Sequence, residues 1–562
     1  MAVTGPLTGT GVPTSGRHHV AARSPLTGFF GESNVGGSWA VHFKKAGFDG
    51  IVVKGKTENP VYLWIHEGKA EIRDARPIWG KDSYESADWL KKETVKEATA
   101  AVIGPAGERM AKIAGIPHIG HIVRAAARTG LGAVMGSKNL KAMVAYGDGS
   151  VPIAKPDELK AHIKNLVPHI QKATESFGKF GTSGGIDNYE KMGNFPLKNW
   201  KLGRWEGAKK ISGVTMHDTI LSGRKACLNC PIACGRHIKV TEGSYAPMDC
   251  EGPEYETIGT LGGLCLVDDL IAISKANELC NRYGLDTIST GGIVAFAMEA
   301  YEKGLIGKED TGGVELKWGD EQAMIAMVHQ IGKREKLGAL LGQGVKRAAE
   351  KLGGDSWKYA VHVKGMETPM HDPRTFYSIG LTYAVGPRGA CHLHGHAPLW
   401  EGVQDPLPEW GLKGTYPHFV SEGKGNLVKL SQDYTAVVNS MVSCYFVTFI
   451  LKPSDLAAVL AAATGTKYTA KSLLKVGERI MALHRAYNNL CGVTRKDDVL
   501  APRALEPTKE GGNAGKVPDM EVMIKEFYKA SGWTTSGRPS RKTLESLGLQ
   551  DVARDLYGPK RK

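Results

Sequence analysis

The spacing of three cysteines constrains this chain more than any other feature of its sequence. The segment Cys227-Leu-Asn-Cys230-Pro-Ile-Ala-Cys234 brings three thiols within eight residues, although the 562 residues contain only nine cysteines. This C-x2-C-x3-C spacing lets one loop reach three corners of a [4Fe–4S] cluster, with a distant cysteine as fourth ligand. Structural cysteines and a zinc site completed by His237 are the alternatives. So few cysteines exclude a disulfide scaffold.

The periodicity of apolar residues changes once along the chain. Residues 1–150 contain short β-prone runs separated by Gly and Pro, whereas helical spacing dominates residues 151–360 and 361–562. A length of 562 residues fits two to four domains at roughly 150 residues each. We therefore predict an α+β protein with a β-rich N-terminal domain and two mostly α-helical domains, divided at these positions.

Individual elements follow from the same patterns. Strands are expected at 18–22, 50–54, 61–65 and 70–73, and the last two form a hairpin through residues 66–69. Helices are expected at 156–177, 268–283, 289–303, 454–464, 470–489 and 519–530, with two more between 321 and 352.

Charge and hydropathy restrict the partners. Lys and Arg number 72 against 58 Asp and Glu, a net charge of +14, which fits either a plain solvated surface or attraction of an acidic partner. Nucleic acid is not expected, because basic and aromatic residues do not interleave and zinc-finger spacing is absent. No apolar run reaches the roughly 18 residues of a membrane span. The N-terminus lacks a secretory signal, so the expected location is cytoplasmic.

Five other segments are rich in polar side chains or exposed backbone amides. Residues 251–256 hold three carboxylates, and Arg388-Gly-Ala-Cys391-His392-Leu-His394-Gly-His396 holds three imidazoles and a thiol. Both could be solvated turns or parts of a catalytic pocket. Arg17 and Asn34 lie on glycine-rich turns and could recognise phosphate. The loop 281–286 joins two predicted helices through a glycine, which exposes backbone amides to an anion.

Together these segments give the chain a family resemblance. It resembles the tungsten-containing aldehyde:ferredoxin oxidoreductase family over nearly its full length. Beside the cysteine motif, the matching segments are Thr4–Thr10, Ser24–Gly28, Gly130–Lys141, Gly252–Thr257, Arg388–His392 and Gly492–Asp498. The family begins with about one further β segment, so either this start is truncated or this member is short.

The resemblance implies a tungsten or molybdenum ion held by two pterin dithiolenes, with Mg²⁺ at the pterin phosphates. Residues 281–286 match the first pterin loop, with Asn281 in place of the usual Asp, and 439–444 match the second, with Val442 in place of Gly. The implied cofactor-binding residues are Arg17, Asn34, Arg128, Asn281, Gly284, Leu285, Asp286, Asn439 and Ser443. Cys444 takes the place of the fourth cluster ligand, and Cys491 is its rival.

The resemblance also implies the chemistry. A glutamate and a histidine flank the metal in this family, which points to His392 and to Glu256 or Glu254. The expected reaction is oxidation of an aldehyde to a carboxylic acid, with electrons passed through the cluster to ferredoxin. The alternative is the catalytic subunit of a class II benzoyl-CoA reductase, acting on an aryl-CoA, in which Cys265 could be an additional metal ligand.

The remaining expectations concern assembly. The partner is ferredoxin or a small iron–sulfur electron-transfer subunit, and the chain is expected to form a homodimer or a hetero-oligomer. A non-catalytic electron-transfer module, with a cluster and an inactive pterin site, is a further alternative.

Overall fold

The computed structural model describes residues 1–395 and 397–558, so His396 of the histidine-rich segment lies outside the described residues. The first 145 residues form a four-stranded and a six-stranded sheet. The strands of the first sheet are Ala2–Val3, His18–Arg23, Phe30–Val35 and Gly50–Ile51. Those of the second are Val61–His66, Lys69–Asp74, Thr99–Val102, Ile116–Ile119, Val123–Ala126 and Leu140–Ala145. Short helices in this region are Trp39–Lys45, Ser83–Glu93, Pro105–Glu108 and Leu131–Ser137.

The predicted hairpin is present. Val61–His66 pairs antiparallel with Lys69–Asp74, from Val61 opposite Asp74 to His66 opposite Lys69. Glu67 and Gly68 both have positive φ, 44° and 72°, as a two-residue turn that matches the twist of its strands requires. On its other side Val61–His66 pairs in parallel with Leu140–Ala145, which places it inside the six-stranded sheet.

Helices dominate the rest of the chain, which confirms the α+β prediction. The eight longest of them are Pro156–Ala173, Leu270–Tyr283, Thr287–Glu302, Glu321–Lys333, Lys424–Ser440, Pro453–Thr464, Ala470–Leu490 and Met520–Ala530. Shorter helices are Glu175–Phe180, Ile186–Met192, Gly213–Thr219, Tyr255–Ile258, Lys308–Thr311, Lys336–Leu341, Val345–Leu352, Tyr377–Ala384, Arg541–Ser546 and Gln550–Tyr557.

Several elements differ from the sequence prediction. The helix expected at 156–177 stops at Ala173, and Thr174 separates it from Glu175–Phe180. Three helices replace the two expected at 321–352, because Arg334 and Gly344 adopt positive φ between them. An unpredicted three-stranded sheet, Leu221–Lys225, Gly235–Val240 and Met248–Glu251, holds the cysteine segment.

Packing connects segments that are far apart in sequence. Leu159 and Ile170 of the helix Pro156–Ala173 join the hydrophobic cluster of the last third of the chain, beside the helix Pro453–Thr464. A separate cluster contains the buried helix Thr287–Glu302 and the pair Cys265 and Cys280. The boundaries at 150 and 360 therefore stay predictions. Within the described residues, no helix combines the length and the apolar character needed to cross a membrane.

Candidate active site

One cavity gathers most of the residues singled out from the sequence. It offers about 430 Å³ and lies where the N-terminal sheets meet the helical segments. The predicted residues that line it are Arg17, Asn34, Arg128, Cys227, Cys230, Cys234, Glu254, Glu256, Asn281, Leu285, Asp286, His392, Asn439 and Cys444.

The cysteine segment is a loop held against the N-terminal sheet. It joins the paired strands Leu221–Lys225 and Gly235–Val240, so the sheet holds both ends of the loop. The N–H of Leu228 donates to the carbonyl of Gly37 at 3.0 Å. Gly36 lets Cys227 approach, because a Cβ at Gly36 would lie 2.7 Å from the Cys227 Sγ. The sheet therefore positions the first thiol of the motif.

Cys444 reaches the same region from the distant helix Lys424–Ser440. Its N–H donates to the Thr14 carbonyl at 3.0 Å, and it immediately precedes the 3-10 turn Tyr445–Phe449. Burial, together with the neighbouring Cys444 and Cys227, raises the pKa of the Cys230 thiol to about 12. Cys491, in contrast, ends the helix Ala470–Leu490 beside Tyr487 and does not line this cavity.

Backbone amides lie near two of these sulfurs. The amides of Ile232 and Ala233 act against the rise in the pKa of the Cys230 thiol, and the amide of Phe446 does the same for Cys444. Hydrogen bonds to cysteine sulfur tune the potential of iron–sulfur clusters. The donor set therefore fits a cluster better than it fits four buried neutral thiols.

The two candidate carboxylates have different neighbours. Glu254 accepts from the Thr182 hydroxyl at 2.6 Å and lies 3.6 Å from the Arg124 guanidinium. Burial disfavours the charge of Arg124, yet Cys227, Glu254 and Cys234 together raise its pKa above the ordinary value. Glu254 and Arg124 therefore belong to the cysteine side of the cavity. The sequence analysis missed Arg124, which carries no local motif.

Glu256 lies instead among histidines. Its Oε2 accepts from the Met370 N–H at 2.8 Å, while its Oε1 lies 3.6 Å from His392 Nδ1 and 3.7 Å from His371 Nε2. Burial raises the pKa of Glu256 to about 7, although the Met370 amide and Arg128 act in the opposite direction. A carboxyl group with such a pKa can both take up and release a proton near neutral pH.

His371 is a cavity residue that the sequence analysis did not select. It is almost fully buried, and its ring stacks on Tyr255 at 5.1 Å between centroids. Burial lowers the pKa of His371 to about 3, so the imidazole is neutral. The ligand atoms of Glu256, His371 and His392 lie within 4.8 Å of one another, a spacing that a metal ion could bridge.

Three predicted cofactor residues form one hydrogen-bonded chain. The Arg17 Nε donates to Asn34 Oδ1 at 2.5 Å, and the Asn34 amide donates to Asn439 Oδ1 at 3.1 Å. His19 contacts the Asn439 carbonyl at 2.9 Å. These hydrogen bonds connect the antiparallel strands His18–Arg23 and Phe30–Val35 to the end of the helix Lys424–Ser440.

The first predicted loop is also locked in place. Gly284 ends the helix Leu270–Tyr283 with φ +71° and packs against Gly104, where an added Cβ would lie 2.9 Å from the Gly104 nitrogen. Asp286 caps the next helix and accepts from Arg128 Nη1 at 3.0 Å. Arg128 also donates to the carbonyls of Glu367 and Ala390 at 2.5 and 3.0 Å, so its guanidinium makes three hydrogen bonds to protein groups.

The second predicted loop keeps its turn without a glycine. Val442, which replaces Gly, adopts φ +57°. For a β-branched residue this conformation is strained by roughly 1–2 kcal/mol. Its side chain occupies space left by Gly5, where a Cβ would clash with Val442 Cγ2. Ser443 is buried and does not line the cavity.

A second polar cluster lines the cavity beside Asn34. Glu32 lies between His19, at 3.4 Å, and His394, at 2.7 Å. Burial alone would raise the pKa of Glu32, but these two imidazoles hold it well below its usual range. Arg388 donates to the Glu32 carbonyl at 2.6 Å and to the Cys391 sulfur at 2.9 Å. The histidine-rich segment predicted His394, whereas His19 and Glu32 carry no signal of their own.

Cys265 lies apart from this cavity. It is fully buried in the hydrophobic core, and its thiol faces the carbonyls of Thr260 and Gly291 at 3.5 and 3.8 Å. Burial raises its pKa above the ordinary value. The residue is not among those lining the cavity that holds Glu256.

Comparison with known proteins identifies the chain as an oxidoreductase and gives its family. Models of the aldehyde ferredoxin oxidoreductase family match residues 1–147, as its N-terminal domain, and 158–549, as its domains 2 and 3. The chain is 40% identical to the tungsten-containing aldehyde ferredoxin oxidoreductase of Pyrococcus furiosus, over 97% of this chain and 89% of that protein. It is 39% identical to the enzyme of the same name from Pyrococcus abyssi, over 98% and 90%. The chain belongs to the aldehyde ferredoxin oxidoreductase family.

Other relatives are named for different activities. The WOR-like subunit of an aliphatic sulfonate oxidoreductase from Pyrococcus furiosus is 32% identical over 99% of this chain and 89% of that protein. A solved structure of the active-site complex BamBC of benzoyl-coenzyme A reductase with 1,5-dienoyl-CoA is also similar. It has a TM-score of 0.84 and 26% identity, and covers 99% of this chain and 89% of that chain.

Proposed function

We propose that this chain oxidises an aldehyde to a carboxylic acid and passes the electrons to a ferredoxin-type carrier. The observation that carries the proposal is the single cavity that holds Glu256 and His392 together with the four cysteines Cys227, Cys230, Cys234 and Cys444. The aldehyde can therefore be oxidised, and its electrons removed, within one cavity. The enzymes of 39–40% identity that are named for this reaction support the same choice.

The cysteine side of the cavity fits a [4Fe–4S] cluster. We assign Cys227, Cys230, Cys234 and Cys444 as its ligands, because a three-cysteine loop and one distant thiol converge where backbone amides lie near sulfur. Arg124 adds a buried positive charge that offsets the negative charge of four thiolates.

The remaining polar groups fit a pterin-bound metal. The chain Arg17–Asn34–Asn439 and the pair Arg128–Asp286 supply donors and acceptors at two places in the cavity, as two pterins with Mg²⁺-linked phosphates would need. We include Asn281, Gly284 and Leu285 in the first pterin loop and Ser443 in the second. When bound, a tungsten or molybdenum bis-pterin supplies the two-electron redox centre.

Side chains of the cavity would orient the aldehyde and accept a proton during its oxidation. Oxidation of an aldehyde by water releases two electrons and two protons. His392 would donate a hydrogen bond to the aldehyde oxygen, and Glu256 would take up one proton at Oε1 because its pKa lies near 7. Burial of both groups excludes bulk water from the reacting carbonyl. Glu254, paired with Thr182 and Arg124, would serve the cluster side instead.

Electrons would leave through an open groove above the cysteine loop. Cys227 and Cys230 line both the buried cavity and this groove, so a cluster there comes close to the surface. Among the described residues, the charged ones that line the groove are Arg224 and Lys225, with His121 beside them, and none that lines it is acidic. An acidic electron carrier such as a ferredoxin complements this surface.

Reduction of an aryl-CoA is the second candidate. The observation in its favour is the TM-score of 0.84 to the benzoyl-coenzyme A reductase complex, whose 26% identity is lower than that of the aldehyde-oxidising relatives. In that case a small iron–sulfur subunit, and not free ferredoxin, would occupy the groove.

One pair of assays decides between the two. Anaerobically purified protein is given acetaldehyde or benzaldehyde with oxidised ferredoxin, and separately benzoyl-CoA with a low-potential reductant. We expect aldehyde-dependent ferredoxin reduction and no dienoyl-CoA. Formation of dienoyl-CoA without aldehyde oxidation would overturn the proposal.

A further inference from the structure

The orientation of His371 is fixed by a residue that does not line the cavity. Asn194 is buried, and its Oδ1 accepts from the Asp372 N–H at 3.0 Å. A backbone N–H can only donate, so this bond determines which end of the amide is the oxygen. The Asn194 Nδ2 therefore faces His371 Nδ1, at 3.1 Å, and must be the donor.

This bond selects the tautomer of His371. Because Nδ1 accepts a hydrogen bond and the buried imidazole is neutral, the proton resides on Nε2. The Nε2–H lies 3.7 Å from Glu256 Oε1, which is buried and has no hydrogen-bond partner among the described residues. The same proton blocks the lone pair that a metal ion between Glu256, His371 and His392 would need.

We infer that His371 is a positioning residue for Glu256, held by Asn194 as an Nε2–H donor that stabilises the ionised carboxylate. The Met370 N–H already fixes Oε2, and His371 would fix Oε1 when the loaded site tightens. Catalytic hydrogen bonds are often long in empty sites and shorten in the complex. A donor to the charged form lowers the pKa of a carboxyl group.

Other charged groups also act on Glu256, and they stay the same in the His371 variants. Arg128 stabilises its charge and Asp286 opposes it, while Tyr255 and Tyr383 have pKa values raised far enough by burial to stay neutral. Within residues 1–395 and 397–558, the titratable groups that face Glu256 are His371, His392, Arg128, Asp286, Tyr255 and Tyr383.

The test measures protonation of Glu256 without turnover. Infrared spectra of the protein are recorded across pH 5–9, and the carboxylic-acid band of Glu256 is identified as the band lost in Glu256→Gln. We expect His371→Phe to move the midpoint of that band upward by about one pH unit, because a donor to the carboxylate is lost. His371→Gln places an amide N–H near the original Nε2 and should restore most of the shift.

A second variant addresses the tautomer itself. Asn194→Asp keeps the acceptor for the Asp372 N–H but replaces the donor with an oxygen, so His371 must carry its proton on Nδ1. Its Nε2 lone pair would then face Glu256, and we expect the midpoint to rise at least as far as in His371→Phe. The acid limb of kcat/KM should move with it.

The outcomes separate this inference from the proposed function on which it rests. A midpoint unchanged in both His371→Phe and Asn194→Asp would overturn the positioning role, whether or not the protein oxidises aldehydes. A shifted midpoint in a protein without aldehyde activity would uphold the contact and refute the proposed function. If His371→Phe fails to fold, His371→Leu, which also removes the donor without adding a charge, takes its place.

Discussion

Glu256 Oε1 and His392 Nδ1 face each other at 3.6 Å across the cavity. They are 136 positions apart in the chain. The Met370 N–H donates to Glu256 Oε2, and Arg128 donates to the carbonyl of Ala390, which is close to His392 in the sequence. The distance leaves room for tightening when an aldehyde enters. This pair provides the acid–base half of the proposed reaction.

Removing either member of this pair should lower turnover without removing cofactors. We expect His392→Ala and Glu256→Gln to lower kcat and kcat/KM together by roughly 10²–10⁴-fold. The matched control is Glu254→Gln, which changes a carboxylate two positions away that contacts Thr182 and Arg124. Steady-state aldehyde oxidation with a dye acceptor, at equal metal content, measures the effect. A larger loss in Glu254→Gln than in Glu256→Gln would reverse the assignment.

The fourth cluster ligand can be tested by a pair of cysteine variants. Cys444→Ala should remove the [4Fe–4S] signal from the electron paramagnetic resonance spectrum of the reduced protein, because Cys444 shares the cavity with the three-cysteine loop. Cys491→Ala should keep a normal signal, since Cys491 ends a helix beside Tyr487. The opposite pattern would make Cys491 the ligand.

A glycine that is not a ligand should also be needed for the cluster. Gly36→Ala would place a Cβ 2.7 Å from the Cys227 Sγ, so the thiol must move. We expect reduced iron content and a broadened cluster signal. Gly223→Ala, on the neighbouring strand Leu221–Lys225, is the control because its added Cβ meets no atom of the described residues within 4 Å. Equal iron content in the two variants would contradict the proposed position of Cys227.

The groove should be recognised through its charge. We expect Arg224→Glu to raise the KM for ferredoxin several-fold at low salt and to leave reduction of a small neutral dye unchanged. Added salt should slow the wild-type reaction with ferredoxin as the Debye length falls from about 10 Å at 0.1 M to about 3 Å at 1 M. Lys542→Glu, on the distant helix Arg541–Ser546, makes the same change in net charge. If Lys542→Glu raises the KM for ferredoxin as much as Arg224→Glu does, the overall charge of +14, and not the groove, determines how ferredoxin binds.

The sequence predicts most of the long helices, including the buried helix Thr287–Glu302, and misses Lys424–Ser440. Ala470–Leu490 has alternating buried and exposed residues and was expected within one residue. Lys424–Ser440 was not expected, because it is buried on nearly all sides and its buried residues include Ser431, Gln432 and Asp433. Such buried polar residues interrupt the apolar pattern, so periodicity does not reveal this helix.

The sequence likewise predicts only some residues of the candidate site. Short motifs identify Cys227, Glu256 and His392, because their spacing or their local density of polar groups is unusual. The partners that give these residues their chemistry carry no motif: Arg124, Asn194 and His371 become significant only through contacts between distant segments. Such contacts depend on tertiary packing.

Metal content tests the central claim, a pterin-bound metal and a cluster in one cavity, most directly. Inductively coupled plasma mass spectrometry of protein purified without oxygen, from cells supplied with tungstate and molybdate, should give about four irons per chain for one [4Fe–4S] cluster, with tungsten or molybdenum near equimolar to the chain. Intact iron with both heavier metals at background would contradict the claim. The chain would then be an electron-transfer module without a redox-active pterin site.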